Sequence, residues 1–196
     1  MKNLKEREEV IEYSIKLNTT NLSPLRSGNI SVRGVEDGIE GFFITPSGKK
    51  YESLKPEDIV FLSLTEEKDF LSWFNSGKNP SSEWRFHQDI YKNKWEAKAI
   101  VHAHSPNASA VSTHCKSIPP FHYMIALAGG EDIRCAEYAT FGTHELSMNI
   151  IKALKDRKAC LMSNHGQVAF GDNLSKAFEL AQEVENICQQ YVIALK

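Results

Sequence analysis

The stretch AKAIVHAHSP, Ala97–Pro106, decides how this chain folds. Read as a β-strand, its alternation sends Ala99, Val101 and Ala103 to one face and Ile100, His102 and His104 to the other. Two imidazoles then leave the same face at the strand end.

Working outward, NPSSEWRFHQDIYKN (79–93) places Pro80 and two serines before an apolar-periodic segment, so a helix is expected with Ser81 or Ser82 as its N-cap and Glu83 in its first turn. Further upstream, NISVRG, GFFITP and DIVFLSL read as short strands forming a small sheet whose loops lie close together. Residues 4–17 read as an amphipathic helix broken by Pro24 and Gly28. Downstream, NASAVSTHC is helix-like, IRCAEY a short strand, Leu146–Leu154 a helix, and ACLMSNHGQVAFG a buried strand interrupted by a polar loop. From 174 to 192 the apolar residues form a helical stripe. The sum is a mixed α/β domain spanning 1–196, with a central, largely antiparallel sheet flanked by helices.

Composition supports one globular domain: 196 residues, 41% hydrophobic, are enough to enclose a substantial core. Lys+Arg of 23 against Asp+Glu of 25 leaves a net charge of -2, which gives no sign of a nucleic-acid or membrane partner. Any anion site must be built locally. Cys115, Cys135, Cys160 and Cys188 are widely spaced without a CxxC pair, which suits free thiols used in packing in a reducing compartment. The N-terminal segment is too charged for a signal peptide, and no run approaches membrane-spanning length. A cytoplasmic location is the default expectation.

His102 and His104 need a third partner before they mean metal, and SNHGQV offers His165 beside a glycine that permits close backbone approach. Three imidazoles suit zinc and its first-row neighbours and leave a coordination position open for substrate. A pair of hydrogen-bonded strand histidines has the same H-x-H spacing, and spacing alone does not separate the two. His87, His114, His122 and His144 have no such pairing and read as structural or supporting residues. Glu83 is either a carboxylate favoured by the helix dipole or a general acid/base or added metal ligand. Three segments suit a phosphate, SGN at 27–29, TPSG at 45–48 and SS at 81–82, through small residues, hydroxyls and free backbone N–H groups. With no Walker-type loop, they point to a phosphorylated small molecule rather than a nucleotide.

Taken in order, SGNIS, ITPSGKKYESL, SSEWRFH, VHAHS, IPPFHYMIALAGG, YATFGTHELS and SNHG closely resemble the class II aldolase/adducin family, across 4–196. The resemblance implies a three-layer fold. It also implies zinc-dependent retro-aldol cleavage of a ketose 1-phosphate, L-fuculose 1-phosphate or a close analogue, to dihydroxyacetone phosphate and an aldehyde such as lactaldehyde. By the same resemblance His102, His104 and His165 hold the zinc, one per subunit. Glu83 ligates the metal and swings away to act as acid/base when substrate chelates it. Gly28, Asn29, Ser47, Gly48, Ser81 and Ser82 hold the phosphate, Ser47 standing where the family commonly has threonine. Tyr123 reaches in from a neighbouring subunit of a cyclic homotetramer and protonates the aldehyde-side oxygen. Family aldolases usually continue into a tail over the aldehyde end of the site, and the sequence stops at Lys196, so broad aldehyde acceptance is expected.

The family also implies other functions. Sugar-phosphate 4-epimerases cleave and reform the same bond, dehydratases and decarboxylases act on related sugars, and adducin head domains are non-catalytic interaction modules. The segments HYMIALAGG and YATFGT resemble the aldolase branch, and an interaction module should lack the ligand set that this chain carries.

Overall fold

The computed structural model describes residues 1–25, 27–66 and 70–195. In chain order its elements are α1 (Leu4–Thr19), β1 (Asn29–Glu36), β2 (Ile39–Ile44), β3 (Val60–Ser63), α2 (Phe70–Asn75), α3 (Trp84–Asn93), β4 (Ala99–Ala103), α4 (Pro106–Ser112), β5 (Cys135–Ala136), α5 (His144–Ala153), β6 (Ala159–Met162), β7 (Gly166–Gly171) and α6 (Leu174–Ala194). Single 3-10 turns occur at Tyr51–Ser53 and Pro56–Asp58, with a longer one at Tyr123–Ala128.

The strands form one seven-stranded sheet in the order β3-β2-β1-β4-β7-β6-β5. Every neighbouring pair is antiparallel except β5 with β6. The first three strands are therefore not a separate small sheet. β1 pairs with β4, Asn29 opposite His102, and this joins the N-terminal meander to the centre. The segment expected as one interrupted strand is a hairpin: β6 and β7 pair antiparallel, and His165 N–H donates to the Met162 carbonyl at 3.0 Å across the turn. Asn164 closes that turn with φ 56°, a left-handed conformation that asparagine tolerates.

Alternation in β4 does what its sequence dictates. Ala99, Val101 and Ala103 pack into a core with Val10 and Leu17 of α1, Val111 of α4, and Ala181, Val184 and Cys188 of α6. Ile100 faces the opposite core, with Phe42, Ile90 of α3, Ile150 of α5, Cys160 and Val168. Helices thus cover both faces of the sheet, giving three layers. Each fully buried Ile, Val or Phe in these layers contributes roughly 1.5–3 kcal/mol through the apolar area it removes from water.

Boundaries differ where caps decide them. α5 begins two residues earlier than expected because Thr143 accepts the Leu146 N–H and caps it. α2 has no counterpart in the sequence reading. Among the cysteines, Cys160 and Cys188 are buried free thiols whose pKa burial raises, whereas Cys115 is exposed and does not pack as expected. No helix among the described residues is long and apolar enough to cross a membrane. Lys196 lies outside the described residues.

Candidate metal centre and anion cleft

Three separate elements deliver the four candidate ligands. His102 projects from the last turn of pleat in β4, and His104 follows one residue beyond the strand end. His165 sits in the hairpin turn just before β7, and the β4–β7 pairing of Ala103 with Gln167 brings that turn beside the end of β4. Glu83 comes from the start of α3. It is the N-cap residue itself, not a first-turn residue after a serine cap. Its side chain makes no cap bond, while Ser81 Oγ accepts the Glu83 N–H at 3.3 Å. The carboxylate that could have capped the helix is turned toward the histidines instead.

The ligand atoms of Glu83, His102, His104 and His165 all lie within 4.8 Å of one another. His102 Nε2 is 3.1 Å from Glu83 Oε2, and His165 Nε2 is 3.2 Å from Glu83 Oε1. His104 Nε2 lies 2.9 Å from His102 Nε2. The three rings stand nearly edge-on to one another, with interplanar angles of 71°, 81° and 88°, so their nitrogens converge while the rings do not stack. His102 Nδ1–H donates to the Gln167 carbonyl at 2.8 Å, which turns Nε2 toward the cluster, where it would ligate a metal on giving up its proton.

The electrostatics agree with this donor set. Burial opposes ionisation of Glu83, yet the charge and hydrogen bonds of His102, with those of His165, overcome it and hold its carboxyl well below the usual carboxylate range. Burial likewise disfavours a charged His102, but the Glu83 carboxylate and the Gln167 carbonyl raise its pKa. Burial, then the charges of His102 and His165, push His104 down to about 3. One carboxylate among three crowded nitrogens demands positive charge, and Glu83 Oε1 is buried without a hydrogen-bond partner. Three neutral imidazoles and one carboxylate are a fitting donor set for a single divalent first-row ion.

A small cleft of about 80 Å³ adjoins the cluster, and all six residues expected to hold phosphate line it: Gly28, Asn29, Ser47, Gly48, Ser81 and Ser82. Lys49 lines it too, although its ammonium pairs with Asp58. Gly28 is required by packing, since a Cβ there would sit 2.6 Å from the His102 carbonyl. Gly48 is required by conformation, with φ +76° and open space around it. A larger opening of about 340 Å³ leads from Glu83, His104 and His165 outward past Ser82, Tyr138, Phe141 and Asn164.

Tyr123 does not join these residues in its own chain; it is 81% exposed on the 3-10 turn and lines neither opening. Sequence reasoning gave no role to Tyr138 or Phe141, whose signal was two aromatics in the polar loop YATFGT, exposed at 62% and 64%. It also placed His87 only as a structural or supporting residue. His87 is fully buried and bonded to Asn29, one residue from the cleft wall to the carboxylate.

Residues 8–192 match the family described as Class II Aldolase and Adducin N-terminal domain. The chain belongs to that family. It is 44% identical to an L-fuculose phosphate aldolase of Escherichia coli strain K12 over 195 residues, covering 100% of this chain and 86% of that protein. It is 42% identical over 185 residues to a 5-methylthioribulose-1-phosphate/5-deoxyribulose-1-phosphate aldolase of Rhodospirillum rubrum, covering 94% of this chain and 79% of that one. A solved structure of L-fuculose 1-phosphate aldolase superposes with a TM-score of 0.85 at 37% identity, covering 97% of this chain and 86% of that chain. The protein is thus a class II aldolase, a lyase, carrying a Glu83/His102/His104/His165 cluster able to bind a metal. These aldolase relatives do not favour the epimerase, dehydratase, decarboxylase or interaction-module readings.

Proposed function

We propose that this aldolase cleaves a 1-phosphorylated ketose between C3 and C4, giving dihydroxyacetone phosphate and a short aldehyde, with zinc held by His102, His104, His165 and, before substrate arrives, Glu83. The observation that carries the reading is the joining of a three-histidine, one-carboxylate cluster to a small hydroxyl- and glycine-lined cleft through one residue, Glu83, which belongs to both. When bound, the metal supplies Lewis-acid stabilisation of the negative charge that develops on the ketose half as the bond breaks.

The chain's own residues do the rest. Gly28, Asn29, Ser47, Gly48, Ser81 and Ser82 grip the phosphate and fix the reacting carbons by remote binding energy. Glu83, buried beside the metal ligands, carries the proton to and from C3. Tyr123 of a neighbouring copy takes the proton from the C4 hydroxyl in cleavage and returns it in condensation; its exposure on its own chain supports a role across a subunit boundary in a homotetramer. L-Fuculose 1-phosphate is the first substrate in this proposal, and the 5-deoxy- and 5-methylthioribulose 1-phosphates named for relatives are the close analogues. A cytoplasmic enzyme with four unpaired thiols, 115, 135, 160 and 188, completes the reading.

The test is to incubate the zinc-loaded protein with each of the three ketose 1-phosphates and measure dihydroxyacetone phosphate by coupled reduction. The expected result is release from at least one, abolished by chelation and restored by zinc. No release from any of them by metal-loaded protein would overturn the proposal.

A further inference from the structure

The apolar interface between α3 and the sheet is crossed by a polar seam. On α3 the residues Glu83, His87 and Tyr91 are spaced four apart and share one face; on β1 the residues Asn29 and Ser31 share one face and meet them. Tyr91 Oη lies 2.8 Å from Ser31 Oγ, Ser31 Oγ lies 2.7 Å from His87 Nδ1, and Asn29 Nδ2 lies 2.9 Å from Glu83 Oε2. His87 Nε2 meets Asn29 Oδ1 at 2.5 Å. All five residues are buried, and apart from Glu83 Oε1, which faces the metal cluster, none of their side-chain polar atoms lacks a partner.

The direction of every bond in the seam is forced. Burial, and then the charge of His102, push His87 down to about 3, so its ring is neutral and carries one proton. An amide oxygen only accepts, so that proton is on Nε2 and is donated to Asn29 Oδ1. Nδ1 is then an acceptor, the Ser31 hydroxyl must donate to it, and the Tyr91 hydroxyl must donate to Ser31 Oγ. Reversing Asn29 would set its carbonyl oxygen against the Glu83 carboxylate and its NH2 against an N–H, two repulsions in a buried site. The amide orientation is thereby locked with N–H toward Glu83.

Resting on the aldolase reading above, we infer that His87 is a positioning residue: its Nε2–H tautomer fixes the Asn29 amide, which holds Glu83 Oε2 and leaves Oε1 as the oxygen that exchanges the proton. A seam serving only to pack α3 on the sheet would be replaceable by apolar side chains of similar shape. One serving to aim a carboxylate is not.

The experiment has two arms. In the metal-loaded wild-type protein labelled with 15N-histidine, the His87 signal, assigned by its loss in His87→Gln, is expected to report a neutral ring with the proton on Nε2. A proton on Nδ1, or on both nitrogens, overturns the inference; this arm does not depend on turnover, and His87→Phe supplies the same assignment if His87→Gln does not fold. In the kinetic arm, His87→Phe keeps the ring that stacks on Phe86 at 4.7 Å but removes both hydrogen bonds. Its kcat is expected to fall about 10- to 100-fold, the worth of a hydrogen bond to a charged group, with KM for the sugar phosphate within about threefold. His87→Gln, whose amide still supplies an N–H, is expected to recover kcat to within about fivefold of wild type. Unchanged kcat in His87→Phe, or equal losses in both variants, overturns the inference. Absence of dihydroxyacetone phosphate from the wild-type protein is a different failure, that of the aldolase reading, and leaves the tautomer result to decide the seam.

Discussion

Glu83→Gln separates proton transfer from everything else this residue does. Glutamine has the same shape, and its side-chain oxygen can still accept from Asn29 Nδ2, now at a neutral rather than charged acceptor across 2.9 Å. That change lowers a bond worth roughly 1.5–3 kcal/mol to one worth about 0.5–1.5, a loss of around 1 kcal/mol or less than tenfold in rate if it all fell on the transition state. Its NH2 would take the place of Oε1, 3.2 Å from His165 Nε2, while its oxygen keeps the Oε2 position, 3.1 Å from His102 Nε2. The three histidines remain, so metal should remain. Loss of acid/base function removes about 10²–10⁴-fold, clearly beyond the hydrogen-bond effect. The assay is solvent-deuterium exchange at C3 of dihydroxyacetone phosphate, run with elemental analysis of the same sample. Exchange within tenfold of wild type at equal metal content would refute the reasoning and reduce Glu83 to a helix-start carboxylate.

His102→Ala and His165→Ala are each expected to purify with little zinc, because losing one of three imidazoles leaves too few protein ligands to compete with water; full occupancy by elemental analysis in either would remove that residue from the ligand set. Tyr123→Phe, altering only a hydroxyl on a ring that is 81% exposed, is expected to keep its Tm within about 1 °C while kcat drops about 100-fold; unchanged turnover would place the C4-side proton carrier elsewhere. His87, pushed to about 3 by burial, refuses a proton that the unfolded chain accepts near 6.5, so the stability tied to its neutrality is complete above about pH 6.5 and is lost as pH falls toward 3. Unfolding free energies from urea titrations of the metal-loaded protein should therefore fall more steeply between pH 6.5 and 4.5 for wild type than for His87→Gln, by up to about 1.4 kcal/mol per pH unit; parallel curves would contradict the linkage.

What the sequence disclosed followed the range of the interactions involved. The face assignment of Ala99 through His102 needed only strand alternation, and it holds in both cores. His165 was picked out as a third ligand from its own short loop, but its convergence on the β4 histidines was secured only by the family resemblance, because it depends on the long-range β4–β7 pairing, as of Ala103 with Gln167. Glu83 was misplaced by one helical position. Local capping chemistry favours Ser81 or Ser82, but the carboxylate is drawn to three imidazoles that no short window contains. The β6–β7 hairpin was read as a strand interrupted by a polar loop: the break was visible in SNHG, but with equally apolar flanks nothing local said that the chain reverses there. His87 was passed over as unpaired, since its partners lie on β1, 56 and 58 residues away.

β4 is the middle strand of seven, and it is counted in twos. Its odd-numbered residues belong to the core under α6, while Ile100 and His102 belong to the side where the ligands gather. A single residue inserted between Ala99 and His102 would invert parity for everything beyond it, driving the His102 imidazole into the α6 core and an alanine to the side of the candidate ligands. Two inserted residues would restore parity but slide His102 past its Gln167 carbonyl. The candidate catalytic face of this enzyme is therefore open to change by substitution and closed to change in length across these few residues.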